Sequence, residues 1–229
     1  MSRNIAVVIG SPRRGGNTWM LAEAFIKGAE EAGHRVEVID AGNADIMGCI
    51  GCEYCFSHAG ICFRKDGMTP FYGILRRCDT IVYATPVYCF SFSAQIKAFM
   101  DRMFCGLADP FGITSCCLLT VFEDKDPSIV QPLIDTYRIN AAYTHMKDEG
   151  IVFVPGTYEK GAIEGNPKLE EAYELGRGLS ADPPRRDPRR SRARPPSPVT
   201  QASGRLCSTS TRDGSRCSTG CFSTWRRGV

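Results

Sequence analysis

Hydrophobic residues over positions 1–180 fall into two alternating patterns. Short runs dense in Ile, Val and Leu predict strands at Asn4 to Ile9, Arg35 to Asp40, Thr80 to Thr85, Ile113 to Phe122 and Ile151 to Val154. Between them the apolar residues recur at helical spacing. In Thr18 to Ala32, for example, Met20, Leu21, Ala24, Phe25 and Ala29 share one face. Further helices are predicted over Thr69 to Arg77, Ser93 to Phe104, Ser128 to His145 and Lys168 to Leu179. Strands that are apolar without alternation must be covered on both faces, as parallel sheets with crossover helices are. The pattern therefore predicts an α/β fold, a doubly wound five-stranded parallel sheet with helices on both faces and ligands at the carboxyl ends of its strands. No internal repeat is visible.

The pattern stops near Ser180. Of the 229 residues, those from Ala181 to Val229 include 11 Arg, no Lys, 3 acidic residues, 6 Pro and 8 Ser, a net charge of +8. Residues 1–180 carry 17 basic and 22 acidic side chains, or −5, so the overall +3 describes neither part. With few large apolar residues, segment 181–229 cannot offset the entropy of ordering its backbone and is expected to be a disordered tail. Its Arg, Pro, Ser and Gly usage also resembles a GC-rich gene read in a shifted frame, an artefactual extension. An RNA-binding arm is the alternative, weakened by the absence of an Arg-Gly repeat and by only Phe222 and Trp225 as stacking residues.

No apolar run reaches the roughly 18 residues of a membrane span, and the N-terminus lacks a secretory pattern, so a cytoplasmic protein is expected. In that setting 12 cysteines point to metal, cluster or redox chemistry rather than disulfides.

The first strand runs into Gly10-Ser11-Pro12-Arg13-Arg14-Gly15-Gly16-Asn17-Thr18 and then a helix. Backbone N–H groups and the positive end of the helix dipole face such a loop, making it an anion site with Ser11, Asn17 and Thr18 as short polar donors. Arg13 or Arg14 adds a charge-assisted bond. The string fits neither the dinucleotide fingerprint nor the P-loop.

Together with Thr85-Pro86-Val87-Tyr88 and the segment Ser93 to Arg102, this loop resembles the flavodoxin-like NADPH-dependent FMN reductase family over roughly residues 3–180. The resemblance implies FMN as cofactor, with Ser11, Arg13, Asn17 and Thr18 holding its phosphate and Pro86, Val87, Tyr88 and Ser91 lining its ring system. It also implies NAD(P)H as reductant and a homodimer or higher homo-oligomer. Read on their own, Tyr88 and Phe90 offer flat apolar surfaces to a planar ring, and Thr85-Pro86 directs the chain off the strand in an extended turn. Phe92 and Phe99 read as core. Cys89-Phe90 stands where the family usually has Trp-Gly or similar, and the loop from Thr120 to Asp126 lacks the glycine often seen there, so no flavin contact is assigned to it.

Residues 48–62 form a cysteine-rich insert whose Cys49, Cys52, Cys55 and Cys62 follow the spacing C-x2-C-x2-C-x6-C. Four thiolates in one glycine-containing loop suit a [4Fe-4S] cluster; structural zinc and free redox-active thiols are the alternatives. The spacing resembles the iron-sulfur flavoproteins within the same family, which implies that these four cysteines bind the cluster. His58 reads as a solvent-facing or capping residue. Cys78, Cys105, Cys116 and Cys117 read as small core residues, and Cys89 falls near the flavin. His34 and His145 are expected to be structural.

The expected function is an FMN-dependent oxidoreductase moving electrons between NAD(P)H or a reduced carrier, FMN and a [4Fe-4S] cluster, with a small molecule or protein as electron donor or acceptor. Two alternatives are an NAD(P)H-dependent FMN or quinone reductase without a cluster, and a flavodoxin-like electron carrier or redox sensor with no turnover of its own. No Ser-His-Asp set or carboxylate pair competes for a catalytic role, and neither a membrane nor a nucleic acid is expected as partner.

Overall fold

Five parallel strands, β1 (Asn4–Ile9), β2 (Arg35–Asp40), β3 (Thr80–Tyr88), β5 (Ser115–Val121) and β6 (Lys147–Val154), form one sheet in the order β2-β1-β3-β5-β6. A two-residue strand, β4 (Ser91–Phe92), turns back antiparallel onto the end of β3. The computed structural model describes residues 2–183, so the predicted tail from 181 onward lies outside the described residues except for its first three.

The helices are α1 (Asn17–Glu31), α2 (Tyr54–Ser57), α3 (Phe71–Arg77), α4 (Ala94–Arg102), α5 (Gln131–Tyr143) and α6 (Lys168–Arg177). Successive side chains of a strand point to opposite faces, and the sheet divides accordingly. Ala6, Val8, Ile81, Tyr83, Cys116 and Leu118 face Leu75 of α3, Ile96 and Phe99 of α4 and Leu133 and Tyr137 of α5. Ile5, Val7, Ile9, Val82, Ala84, Cys117, Leu119 and Val152 face Leu21, Ala22, Phe25 and Ala29 of α1 and Ala172 of α6. The two helices on this second side approach closely because Gly28 and Gly176 meet there. A Cβ at Gly28 would stand 2.0 Å from Tyr173 O, and one at Gly176 2.2 Å from Phe25 O.

At the amino end of the sheet, buried Arg3 ties four segments together. Its guanidinium pairs with Glu149 at 3.0 Å and donates to Ser115 Oγ at 3.0 Å and to the Ser180 carbonyl at 2.6 Å. Its backbone N–H donates to His34 Nδ1 at 3.2 Å, and His34 Nε2 bonds the Leu179 carbonyl at 3.1 Å, which gives His34 a structural role.

Two element boundaries correct the sequence reading. Strand β3 does not turn off at Thr85-Pro86 but continues to Tyr88, with Pro86 opposite Val121. Proline is tolerated because β1 has already ended, its last partner being Ala84, so no donor is needed on that side. Strand β6 begins four residues before Ile151. Its first half, Lys147 to Gly150, is charged and bulged where it meets Cys116 and Cys117, so it carries no apolar signal.

Candidate active site

Sheet order reverses between β1 and β3, whose carboxyl ends open a crevice, the place where doubly wound folds bind ligands. Ser93 holds the two strand ends together. Fully buried, it donates from Oγ to the Gly10 carbonyl at 3.1 Å and from its own N–H to Thr85 Oγ1 at 3.2 Å, and caps α4 by accepting from the Ile96 N–H.

One wall of the crevice is the loop after β1. Its helix, α1, starts at N-cap Gly16 without any side-chain cap, and the N–H groups of Asn17, Thr18 and Trp19 have no acceptor among the described residues. Thr18 is 2% exposed, lines the cleft, and its hydroxyl has no partner among the described residues. Arg13 makes no ion pair among the described residues, whereas Arg14 is bound to Asp40 at 2.8 Å, which separates the two arginines that the sequence leaves open. An uncapped helix end, a buried hydroxyl and an unpaired guanidinium form an anion site that suits a phosphate monoester.

Asn17 adds a structural part through its side-chain amide. It lines the cleft, but its amide nitrogen donates to the carbonyls of Thr157 and Glu159 at 3.4 and 2.8 Å, and its oxygen accepts from the Gly161 N–H at 3.0 Å. It fastens the loop after β6 beside the anion site. That loop brings in Thr157, Tyr158 and Lys160, with the Lys160 ammonium 3.7 Å from where a Cβ on Gly15 would stand.

The opposite wall is Pro86, Val87 and Tyr88, with Val121, Phe122 and Glu123 from the end of β5. Ser91 does not line the cleft; it pairs with Tyr88 across the hairpin. The two residues between them, Cys89 and Phe90, have φ of 48° and 63°. Both central positions of a tight β-hairpin turn of this kind need positive φ, and glycine or asparagine is the usual occupant. A bulky pair there is strained, and the turn projects exposed Phe90 and Cys89 at the cleft mouth.

The cysteine insert stands at the carboxyl end of α4. Its loop takes left-handed φ at Gly51, Glu53, Ala59 and Gly60, folding the chain back so that Cys49, Cys52, Cys55 and Cys62 all line one small cavity with Arg102, Phe104 and Cys105. Its two feet are clamped by Arg102, which is 1% exposed. The guanidinium donates to the Met47 carbonyl at 2.8 Å before the loop, and to Asp66 at 2.5 Å and the Arg64 carbonyl at 3.3 Å after it. Asp66 also accepts from the Met47 N–H at 3.1 Å.

The thiols differ in character. Burial pushes the Cys62 thiol up, but hydrogen bonds from the Arg64 backbone and Tyr72 together with nearby Arg102 outweigh it and hold the thiol below its usual range. Burial pushes Cys55 up, reinforced by the neighbouring Cys62, Cys49 and Cys52. Cys49 Sγ accepts from the Gly51 N–H at 3.4 Å. Among the described residues no three His, Cys, Asp or Glu side chains form a group arranged for a single metal ion. Four thiols around one cavity, with a buried guanidinium at its edge, are the donor chemistry that an iron-sulfur cluster takes.

A model of the family described as NADPH-dependent FMN reductase matches residues 3–119, from β1 through the cysteine insert to β5. The chain belongs to this NADPH-dependent FMN reductase family. Curated relatives of this FMN reductase-family chain include two iron-sulfur flavoproteins of Archaeoglobus fulgidus, 34% identical over 96 residues and 42% identical over 98, covering 42% and 43% of the chain. The matched segments cover 43% and 49% of those proteins, so the chain spans about half the length of these relatives. A Bacillus subtilis protein named as an NAD(P)H-dependent FMN-containing oxidoreductase is 30% identical over 181 residues, 75% of the chain and 95% of that protein. Among solved structures, an NAD(P)H:quinone oxidoreductase from Methanothermobacter marburgensis superposes with a TM-score of 0.63 at 17% identity, over 81% of the chain and 100% of that protein, a likeness of fold.

Within this reductase-family fold, the structure brings Ser11, Arg13, Asn17, Thr18, Pro86, Val87 and Tyr88 to one cleft and Cys49, Cys52, Cys55 and Cys62 to one cavity. Val121 to Glu123 were missed, although the end of a central strand is where a ligand contact is expected. Thr157, Tyr158 and Lys160 carry no local signal, since their loop is held by distant partners: the amide of Asn17, and the Phe122 carbonyl, which accepts from the Thr157 N–H and hydroxyl. Cys105 is buried as expected but also borders the cysteine cavity. His58 does not; it is exposed and stacks on Tyr54 at 3.5 Å. No helix among the described residues is long and apolar enough to cross a membrane.

Proposed function

We propose that the protein is an FMN-dependent oxidoreductase that takes electrons from NAD(P)H or a reduced carrier and passes them through a [4Fe-4S] cluster held by Cys49, Cys52, Cys55 and Cys62. The observation that carries the reading is the presence, in one fold, of an uncapped anion loop at the switch point and a four-thiol cavity at the carboxyl end of α4. FMN supplies exchange between electron pairs and single electrons, and the cluster supplies single-electron transfer. The chain's own part is to hold both. Ser11, Thr18, the first-turn amides of α1 and Arg13 receive the phosphate, Asn17 braces the loop beside it, and Pro86, Val87 and Tyr88 present one wall to the ring system.

Family membership supports the flavin and the nicotinamide reductant; the names of the Archaeoglobus relatives support the cluster. The cluster-free reductase is a second reading, favoured by the Bacillus subtilis protein that the chain spans almost whole. A homodimer in the cytoplasm completes the proposal.

Anaerobic purification followed by absorption spectroscopy and iron, sulfide and zinc analysis tests it. Flavin bands with a broad absorption bleached by dithionite, and about four iron per chain, are expected. Flavin without iron selects the second reading, and absence of flavin defeats both.

A further inference from the structure

Arg102 has a polar group that the loop clamp does not use. Its side chain is completely buried, three of its hydrogen bonds go to Met47, Arg64 and Asp66, and its Nε–H has no partner among the described residues. A buried N–H left unpaired costs about 1–3 kcal/mol, so such a group in a native fold calls for a reason. The cavity that Arg102 borders is the one lined by the four cysteines.

We propose that Arg102 is a positioning residue for the group held by the cysteines: its unpaired Nε–H is the donor left for that group, and its fixed positive charge raises the reduction potential at that site. This rests on the cluster reading above. Hydrogen bonds to ligand sulfurs and nearby charge are established levers on such potentials. Reduction adds one negative charge, and a cation in a low-dielectric cavity favours the more negative form. Asp66 opposes it with a carboxylate on the same guanidinium. The two members of the clamp therefore have opposite electrostatic effects but the same mechanical one, which separates the proposal from a purely structural role.

The experiment is a spectroelectrochemical titration of the full chain, reconstituted anaerobically with iron and sulfide, with iron content measured on each sample. Arg102→Met should shift the cluster's reduction equilibrium toward the oxidised form by about tenfold, which is about 59 mV for one electron. Asp66→Asn should shift it the other way. Arg102→Lys keeps the charge and loses the Nε–H, so it should fall between wild type and Arg102→Met, and it serves alone if Arg102→Met does not fold. The flavin potential should stay in place, because Arg102 does not line that cleft. An unchanged cluster potential in Arg102→Met and Arg102→Lys, with iron retained, overturns the proposal and leaves the cluster reading standing. A shift of the same sign in Arg102→Met and Asp66→Asn also overturns it. A wild-type chain that takes up no iron overturns both.

Discussion

The cleft at the carboxyl ends of β1 and β3 and the cysteine cavity at the carboxyl end of α4 are built by opposite means. The cleft stands on the ends of three parallel strands and the start of a four-turn helix, elements whose positions are fixed by two apolar cores. Its ligand groups are backbone amides and side chains that regular structure already aims at one point. The cysteine insert, residues 48–62, has only the four-residue α2 for regular structure and takes its shape from left-handed residues and a buried ion pair at its feet. The lesson is that the first site inherits its rigidity from the fold, whereas the second depends on Arg102 and Asp66. The two should therefore fail separately.

The largest effect is expected from Asp66→Ala, which leaves Arg102 buried without its counter-ion. Removing one partner of a buried pair costs about 3–5 kcal/mol. Denaturant unfolding should show that loss, and iron retention should fall while FMN affinity holds. Equal loss of both cofactors would break the comparison.

Gly42→Ala should do the reverse at a lower cost. A Cβ there would stand 2.4 Å from the Ser11 carbonyl oxygen, a backbone atom of the anion loop. Overpacking of this kind costs about 1–3 kcal/mol. An FMN titration should show weakened binding, with iron per chain unchanged.

The smallest effect is a gain. Phe90 holds φ of 63° while remaining exposed, so Phe90→Gly removes a left-handed penalty of about 1–2 kcal/mol, partly offset by the greater freedom of glycine in the unfolded chain. A thermal melt should show a rise of a few degrees; a fall would mean that the Phe90 ring contributes packing that outweighs its backbone strain.

The flavin cleft was the more legible of the two sites in the sequence, for the same reason that it is the more rigid. A strand running into a glycine-rich loop and a helix is a local pattern, and it located Ser11, Arg13 and Thr18 directly. Asn17 was assigned to the phosphate because its position suited it, but its partners lie about 140 residues away in the Thr157 to Gly161 loop, and no local pattern reports them. The hairpin at Cys89-Phe90 was hidden because neither residue is a turn former, and the start of β6 because its residues are charged. The four cysteines were visible as a spacing. Arg102 was not, since an arginine in the last turn of a helix normally reads as a solvated end, and only the fold shows this one buried between the feet of a loop.

The central claim, that one chain holds a two-electron and a one-electron centre in separate sites, is tested most directly by an anaerobic reductive titration of the protein loaded with both. The account predicts that about three electrons per chain are taken up, two at the flavin and one at the cluster. Uptake of about two, with the flavin spectrum alone responding, would contradict it.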